Sequence, residues 1–324
     1  MFARGHFVAM AALAAFTVSA SAGEWPDKPV RIVYPYAAGS TGDATARLIA
    51  RRLSDGLGQP FVVENRVGAN GIIGTEAVAR SAPDGYTLLW AITPQIAIAP
   101  VMSKVPYDPS RDFVPISGVS TNSFALLVNA RVPARTVSEF IDYVRVQSKG
   151  FTYAEGGAGS ISHLSMVLLL NRAGLNGTNV SYKGNAPALT DVVAGHLPAM
   201  FALFGDAISQ AENGAIRLLA VSSEHRLEQA PNVPTIAESS FPGFKTTSWW
   251  GLMAPAGTPK HIVDRIAAEV CAATKDPKIV ERLNAFGVEP VGNSPAEFAE
   301  MVRSDIELWA QAVKLAGLEA KQAR

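Results

Sequence analysis

The chain is predicted to be an α/β protein of two domains that meet at a cleft. Three observations carry that expectation. Val30-Arg31-Ile32-Val33-Tyr34 is an apolar run of strand type; a small-residue turn follows, then a helical pattern with Ala46, Leu48, Ile49, Ala50 and Leu53 on one face. The same strand–turn–helix order returns at Phe151 to Leu170, around Glu155-Gly156-Gly157-Ala158-Gly159-Ser160. Between and after these two units, short strands and helices alternate, as parallel α/β sheets require. Both turns leave backbone N–H groups free at a helix N-terminus, with hydroxyls beside them, which suits an anion. The expectation is that they face each other and hold one small anion.

The elements follow in order. Pro60 to Glu64 is a second strand, and Asn65 to Gly71 a loop. Ile72 to Ser81 is a short helix stopped by Pro83-Asp84-Gly85, and Tyr86 to Ala91 a third strand. Thr93-Pro94-Gln95 ends that strand within reach of a cleft. Phe113 to Val128 is extended and apolar, broken at Thr121-Asn122-Ser123, where the first crossing between domains is expected. Thr136 caps a helix running to Val146. After the second turn and its helix, Val180-Ser181-Tyr182 is a strand. Lys183-Gly184-Asn185-Ala186-Pro187 is a third turn of the same kind, leading into a helix to Ala194, with Pro187 suited to its first position. Strands Met200 to Phe204 and Ile216 to Val221 come next, the former followed by Gly205-Asp206. Trp249 to Ala254 returns to the first domain, and helices start near Pro259, Asp276 and Ser294.

Composition narrows the function. The 324 residues are 48% hydrophobic, enough for two domains with cores. Formal net charge is zero and no Lys/Arg cluster occurs, which argues against nucleic-acid binding. Residues 1–22 have a polar start with Arg4 and His6, an apolar run Phe7 to Phe16, and Ala20-Ser21-Ala22 before Gly23. This pattern is that of a secretory signal peptide. The single cysteine, Cys271, lies on an apolar helix face and reads as a packed thiol. No G-x-S-x-G elbow, P-loop or zinc spacing is present, and Gly68, Gly71 and Gly74 lack the spacing of a dinucleotide fingerprint. No cofactor, metal or catalytic residue is expected. His163 stands beside the second turn, with Ser160 and Ser162 as the sole adjacent hydroxyls for a hydrolase reading.

Longer stretches are similar to one family. They include Trp25-Pro26-Asp27-Lys28-Pro29-Val30, Val62-Val63-Glu64-Asn65-Arg66 and Ala82-Pro83-Asp84-Gly85-Tyr86-Thr87-Leu88-Leu89. Tyr182-Lys183-Gly184-Asn185-Ala186-Pro187 and Leu252-Met253-Ala254-Pro255-Ala256-Gly257-Thr258-Pro259 continue the match. In these motifs the chain resembles the substrate-binding proteins of tripartite tricarboxylate transporters, the Bug-type receptors. The resemblance implies a type II periplasmic binding protein fold: two lobes, each a mixed sheet flanked by helices, joined by two hinge crossings. It places residues 23–122 and 249–324 in lobe 1 and 123–248 in lobe 2. It implies a monomer that holds a dicarboxylate, tricarboxylate or aromatic acid, partly through bridging waters, and delivers it to a membrane permease. A periplasmic sensor read by a histidine kinase is the alternative, and a secreted hydrolase a remote one.

Carried over by position, the first turn supplies Tyr36, Ala38, Gly39, Ser40, Thr41 and Gly42, and Asp43 caps its helix. The second supplies Tyr153, Glu155, Gly156, Gly157, Ala158, Gly159, Ser160 and His163. Thr93, Gln95, Lys183, Gly184, Asn185 and Asp206 join them. Many relatives have a serine where this chain has Glu155 and an aspartate where it has Ala202. Phe204 and Trp249 either line the pocket, where they would favour an aromatic or longer acid, or belong to the core.

Overall fold

The structure is a computed structural model that describes residues 25–147 and 150–320; the expected signal peptide lies outside the described residues. Strand β1 (Val30–Tyr34) is almost wholly buried, as an apolar run between two layers must be. A turn leads to α1 (Thr41–Leu57), whose Ala46, Ile49, Ala50, Leu53 and Leu57 form the buried stripe; Gly58 ends it with φ 75°. Then come β2 (Phe61–Asn65), α2 (Ile72–Ala79) and β3 (Thr87–Ile92). β2 and β3 lie parallel to β1 on either side of it.

Strand β4 (Phe113–Asn129) ties the two lobes together. Its first part pairs antiparallel with β9 (Thr247–Pro255), from Phe113↔Pro255 to Ser123↔Thr247. Its last part pairs antiparallel with β7 (Ala199–Leu203) and β8 (Ile216–Val221). The polar Thr121-Asn122-Ser123 interrupts the apolar run but not the strand. Those polar residues mark where the strand exchanges partners; the ladder passes through them unbroken. The lobe 1 sheet runs β2-β1-β3-β9-β4, and the lobe 2 sheet adds β7, β5 (Thr152–Glu155) and β6 (Thr178–Ser181) beyond β4, with β8 on its other edge. Each mixes parallel and antiparallel pairs, so the two-lobed α/β architecture is as expected.

Helices α4 (Val137–Arg145), α5 (Ile161–Arg172), α6 (Asn185–Ala194) and α7 (Phe204–Glu212) belong to lobe 2. α7 was not expected, and neither was the helical stretch Pro94–Ile98 that continues into Ala99–Met102. α6 begins at Asn185, so Pro187 is its third residue. Three C-terminal helices, α8 (Lys260–Ala273), α9 (Pro277–Ala285) and α10 (Pro295–Leu315), start after Pro259, Asp276 and Ser294 as expected, the last with a full capping box.

The long α10 requires one revision of the lobe assignment. Its Phe298 and Val302 pack with Trp249, Leu89 and Met253 of lobe 1. Its Trp309, Ala312 and Val313 sit in the core cluster of lobe 2 with Leu164, Leu168 and Phe201. A 21-residue helix extends about 30 Å, long enough to reach both cores. The C-terminal segment is therefore a third connection between lobes rather than a piece of lobe 1 alone.

Candidate functional site

A cavity of about 650 Å³ lies between the lobes. Lobe 1 contributes Tyr36, Asn70, Ile72, Ile92 and Trp250; lobe 2 contributes residues 156–161, Asn185 and Leu203; Asn122, Phe124 and Ser248 come from the crossing strands. Pro94, Ile98, Ala99, Met102 and Ser103 close one side. No residue of this lining carries a formal charge.

The second turn is fastened from behind by its own residues. Gly156 N–H donates to Ser162 Oγ (3.0 Å), Gly157 N–H to the Glu155 carboxylate, and Gly159 N–H to His163 Nδ1 (3.1 Å). Ser160 caps α5, its Oγ accepting from His163 N–H (3.3 Å) and sharing a hydrogen bond with Ser162 Oγ (2.9 Å). These amides turn into the protein, contrary to the expectation that the whole turn presents its N–H groups to a ligand. The donors that the helices cannot satisfy internally are Ile161 and Asn185 N–H, at residues of the lining, and Ser162 and Ala186 N–H, at residues outside it. The N-terminus of α6 presses on the turn so closely that a Cβ on Gly156 would lie 3.0 Å from Asn185 N. Asn185 Oδ1 is closer still, 2.1 Å from such a Cβ, and is buried there without a hydrogen-bond partner.

Glu155 and His163 stand behind the turn, out of the cavity. Glu155 is fully buried and also accepts from Asn179 Nδ2 (3.1 Å). Burial holds the His163 imidazole below its ordinary pKa, against an opposing pull from Glu155. Nδ1 is engaged by Gly159 N–H and the two serine hydroxyls are bonded to each other, with Ser162 Oγ also accepting from Gly156 N–H, so neither Ser160 nor Ser162 is hydrogen-bonded to the His163 ring.

The first turn is set back from the cavity. Tyr36 lines it and donates to Asn70 O (3.1 Å), but Ala38, Gly39, Ser40, Thr41 and Gly42 are not among its walls. α1 is capped by Ser40, whose Oγ accepts from Asp43 N–H (3.2 Å), and not by Asp43 as expected. Asp43 accepts from Gly39 N–H, Arg47 and Asn65. Burial alone would raise its pKa, but those hydrogen bonds outweigh it and hold the carboxyl below the usual range. A Cβ on Gly42 would meet the Trp250 ring at 3.4 Å, so the end of α1 supports the cavity through that ring.

Several expected residues lie in the core. Thr93 is buried and its Oγ1 accepts from Trp249 N–H (2.9 Å). Gln95 is buried, with its amide nitrogen directed at Trp90 O and its backbone carbonyl accepting from Tyr107 Oη (2.6 Å). Tyr153 stacks on Phe151, Ala202 packs beside Leu189 and Met200, and Phe204 packs with Ala125 and Val221. Trp249 is 1% exposed, edge-on to Phe298, and donates to Asp305 Oδ2 (2.7 Å). Lys183 and Gly184 stay on the rim outside the lining, and Asp206 borders a separate surface hollow beside Leu189 and Ser209. Of the 23 positions expected, Tyr36, Gly156, Gly157, Ala158, Gly159, Ser160 and Asn185 meet at the cavity.

The walls that the sequence reading missed are mostly apolar: Ile72, Ile92, Ile98, Met102, Leu203 and Trp250. One had a legible signal. Gly68, Ala69, Asn70 and Gly71 all have positive φ (144°, 44°, 53° and 91°); Gly and Asn are what such a bend prefers, while Ala69 is strained there. Strained backbone of this kind collects at binding sites.

Known proteins share this fold. Residues 45–318 match the family described as the tripartite tricarboxylate transporter family receptor. BugT of Bordetella pertussis is 33% identical over 98% of this chain and 97% of its own length. Among solved structures, R. palustris Rpa4515 with adipate is 35% identical, with a TM-score of 0.74, covering 91% of this chain and 99% of its own. MatC from Rhodopseudomonas palustris with bound malate is 32% identical, with a TM-score of 0.70, covering 89% and 100%. Fold, cleft and sequence together place the chain in the family of tripartite tricarboxylate transporter receptors.

Proposed function

We propose that this protein is a periplasmic solute receptor that captures a small organic carboxylate between its lobes and delivers it to the membrane permease of a tripartite tricarboxylate transporter. The observation that carries this reading is the corner where the free first-turn amides of α5 and α6 meet the cavity next to Asn185. A carboxylate there gains about 1.5–3 kcal/mol per charge-assisted hydrogen bond. Each helix N-terminus adds roughly 0.3–1 kcal/mol. Three or four such bonds reach the about −8 kcal/mol of a micromolar site without a cation. A bridging water suits the same corner, carrying a hydrogen bond between a free helix-end amide and the carboxylate. The adipate of Rpa4515 and the malate of MatC support the ligand class.

In this reading residues 1–22 direct export and are removed after about Ala22. The protein works as a monomer, and the lobes hinge near residues 122–123 and 248–249, where β4 and β9 exchange surroundings. A thermal-shift screen over mono-, di- and aromatic carboxylates tests it. The expected result is a melting temperature that rises with ligand concentration, since only the folded state binds. No response to any carboxylate overturns it.

A further inference from the structure

We propose that Asn122 and Ser248, paired across the two crossing strands, form a second polar subsite on the floor of the cleft and hold an oxygen of the ligand other than those of the carboxylate at the helix ends. The inference deepens the carboxylate reading above and rests on it.

Register puts the two side chains together. Asn122 of β4 lies opposite Ser248 of β9. Directly opposed residues of antiparallel strands send their side chains to the same face, with Cβ atoms about 4.5–5.5 Å apart. That face is the cavity floor. Phe124 and Trp250, each two residues further along its strand, line the cavity too. So do Leu203, opposite Phe124, and Ile92, opposite Trp250. The floor is thus four apolar side chains around one polar pair.

The pair has no partners of its own. Each residue is only 7% exposed, and among the described residues neither side chain forms a hydrogen bond. Buried polar groups in folded proteins are nearly always paired. Asn122 carries two N–H donors and a carbonyl acceptor, and Ser248 one donor and an acceptor. Together they can give two hydrogen bonds to one ligand oxygen, whether of a hydroxyl or of a further carboxylate. A purely apolar chain laid across them would strip their water and replace nothing. The free helix-end amides of Ile161 and Asn185 belong to lobe 2, whereas this pair belongs to the strands that join the lobes. The ligand is therefore gripped at two points, and the second reads what its body carries.

Acids of graded length scan the separation between the two points. Straight-chain monocarboxylates are compared by titration calorimetry with ω-hydroxy acids, from glycolate to the eight-carbon member, and with α,ω-diacids of the same lengths. At one or two lengths an oxygen-bearing acid is expected to bind the wild-type chain at least tenfold more tightly than the plain acid. The series with the larger gain identifies the group as hydroxyl or carboxylate. Ser248→Ala and Asn122→Leu should each cut that preference at least fivefold. Plain acids that bind as tightly as their oxygen-bearing counterparts at every length overturn the proposal while leaving the carboxylate receptor intact. An unchanged preference in the folded variants overturns it as well. So does an affinity loss that is equal for plain and oxygen-bearing acids, which would make the pair a mere support of the wall. Binding of none of these acids, nor of malate, defeats the carboxylate reading and this inference with it. Should Asn122→Leu fail to fold, Ser248→Ala, which removes a single oxygen, decides.

Discussion

A strand turns successive side chains to opposite faces, and in β9 that alternation separates two tryptophans. Trp249 is buried against Phe298, while Trp250 faces the cavity. The sequence reading left Trp249 open between pocket and core and did not name Trp250. Both are large and aromatic, and only the register of β9 against β4, Thr121↔Trp249 and Ser120↔Trp250, fixes which side each takes. The same one-residue offset moves the pocket wall from Phe204 to Leu203. The two tryptophans should therefore fail differently. Trp249→Ala is expected to cost about 3–5 kcal/mol of stability in urea titration, as loss of a buried aromatic does. Trp250→Ala should cost under about 2 kcal/mol but weaken ligand binding at least tenfold. Similar stability losses in both would contradict the assignment of faces.

At the scale of elements, α10 and β9 meet through a half-buried acid. Asp305 of α10 accepts from Trp249 Nε1, and burial pushes its carboxyl up to about 6, against the lowering effects of Trp249, Lys245 and Trp309. The ordinary value is 3.8, so the folded state favours the protonated acid. Its contribution to stability is then full below about pH 4 and is lost as pH rises through 6. The difference between the two values corresponds to roughly 3 kcal/mol. Asp305→Asn retains an acceptor for Trp249 and removes the charge. Its stability relative to wild type should rise between pH 4 and pH 7, reaching about 2–3 kcal/mol above wild type at pH 7. A flat difference across that range would show that Asp305 titrates normally. No sequence pattern announces this contact: positions 249 and 305 are far apart in the chain, and the acid lies on a helix whose other acids, Glu297, Glu300 and Glu307, face water and ordinary partners.

For the whole molecule, β4, β9 and α10 all pass between the lobes, so closure must bend three connections together. A ligand that touches both lobes favours the closed form by its differential affinity for it. Small-angle scattering with a binding carboxylate is expected to show a smaller radius of gyration than the empty protein, and no change under saturating ligand would argue for a rigid cleft. Removal of residues 306–324 takes Trp309, Ala312 and Val313 out of the lobe 2 core. The truncated chain should melt at least 10 °C lower or lose its single cooperative transition; melting unchanged from wild type would show that the end of α10 is dispensable.

Local signals were sufficient for much of this architecture. The strand at Val30–Tyr34, the caps at Ser294 and Asp276, and the turn ahead of α5 rest on short-range periodicity and capping chemistry, which neighbouring residues settle among themselves. The two-lobed class and the corner around residues 156–160 were legible for that reason. Two things were decided only in three dimensions. Whether Gly156, Gly157 and Gly159 offer their amides outward depends on Glu155, Ser162 and His163 folding back beneath them. Whether an apolar residue builds the core or the pocket wall depends on the pairing of strands distant in sequence. Composition and spacing state that a side chain will be sheltered from water; the register of long-range contacts decides what shelters it.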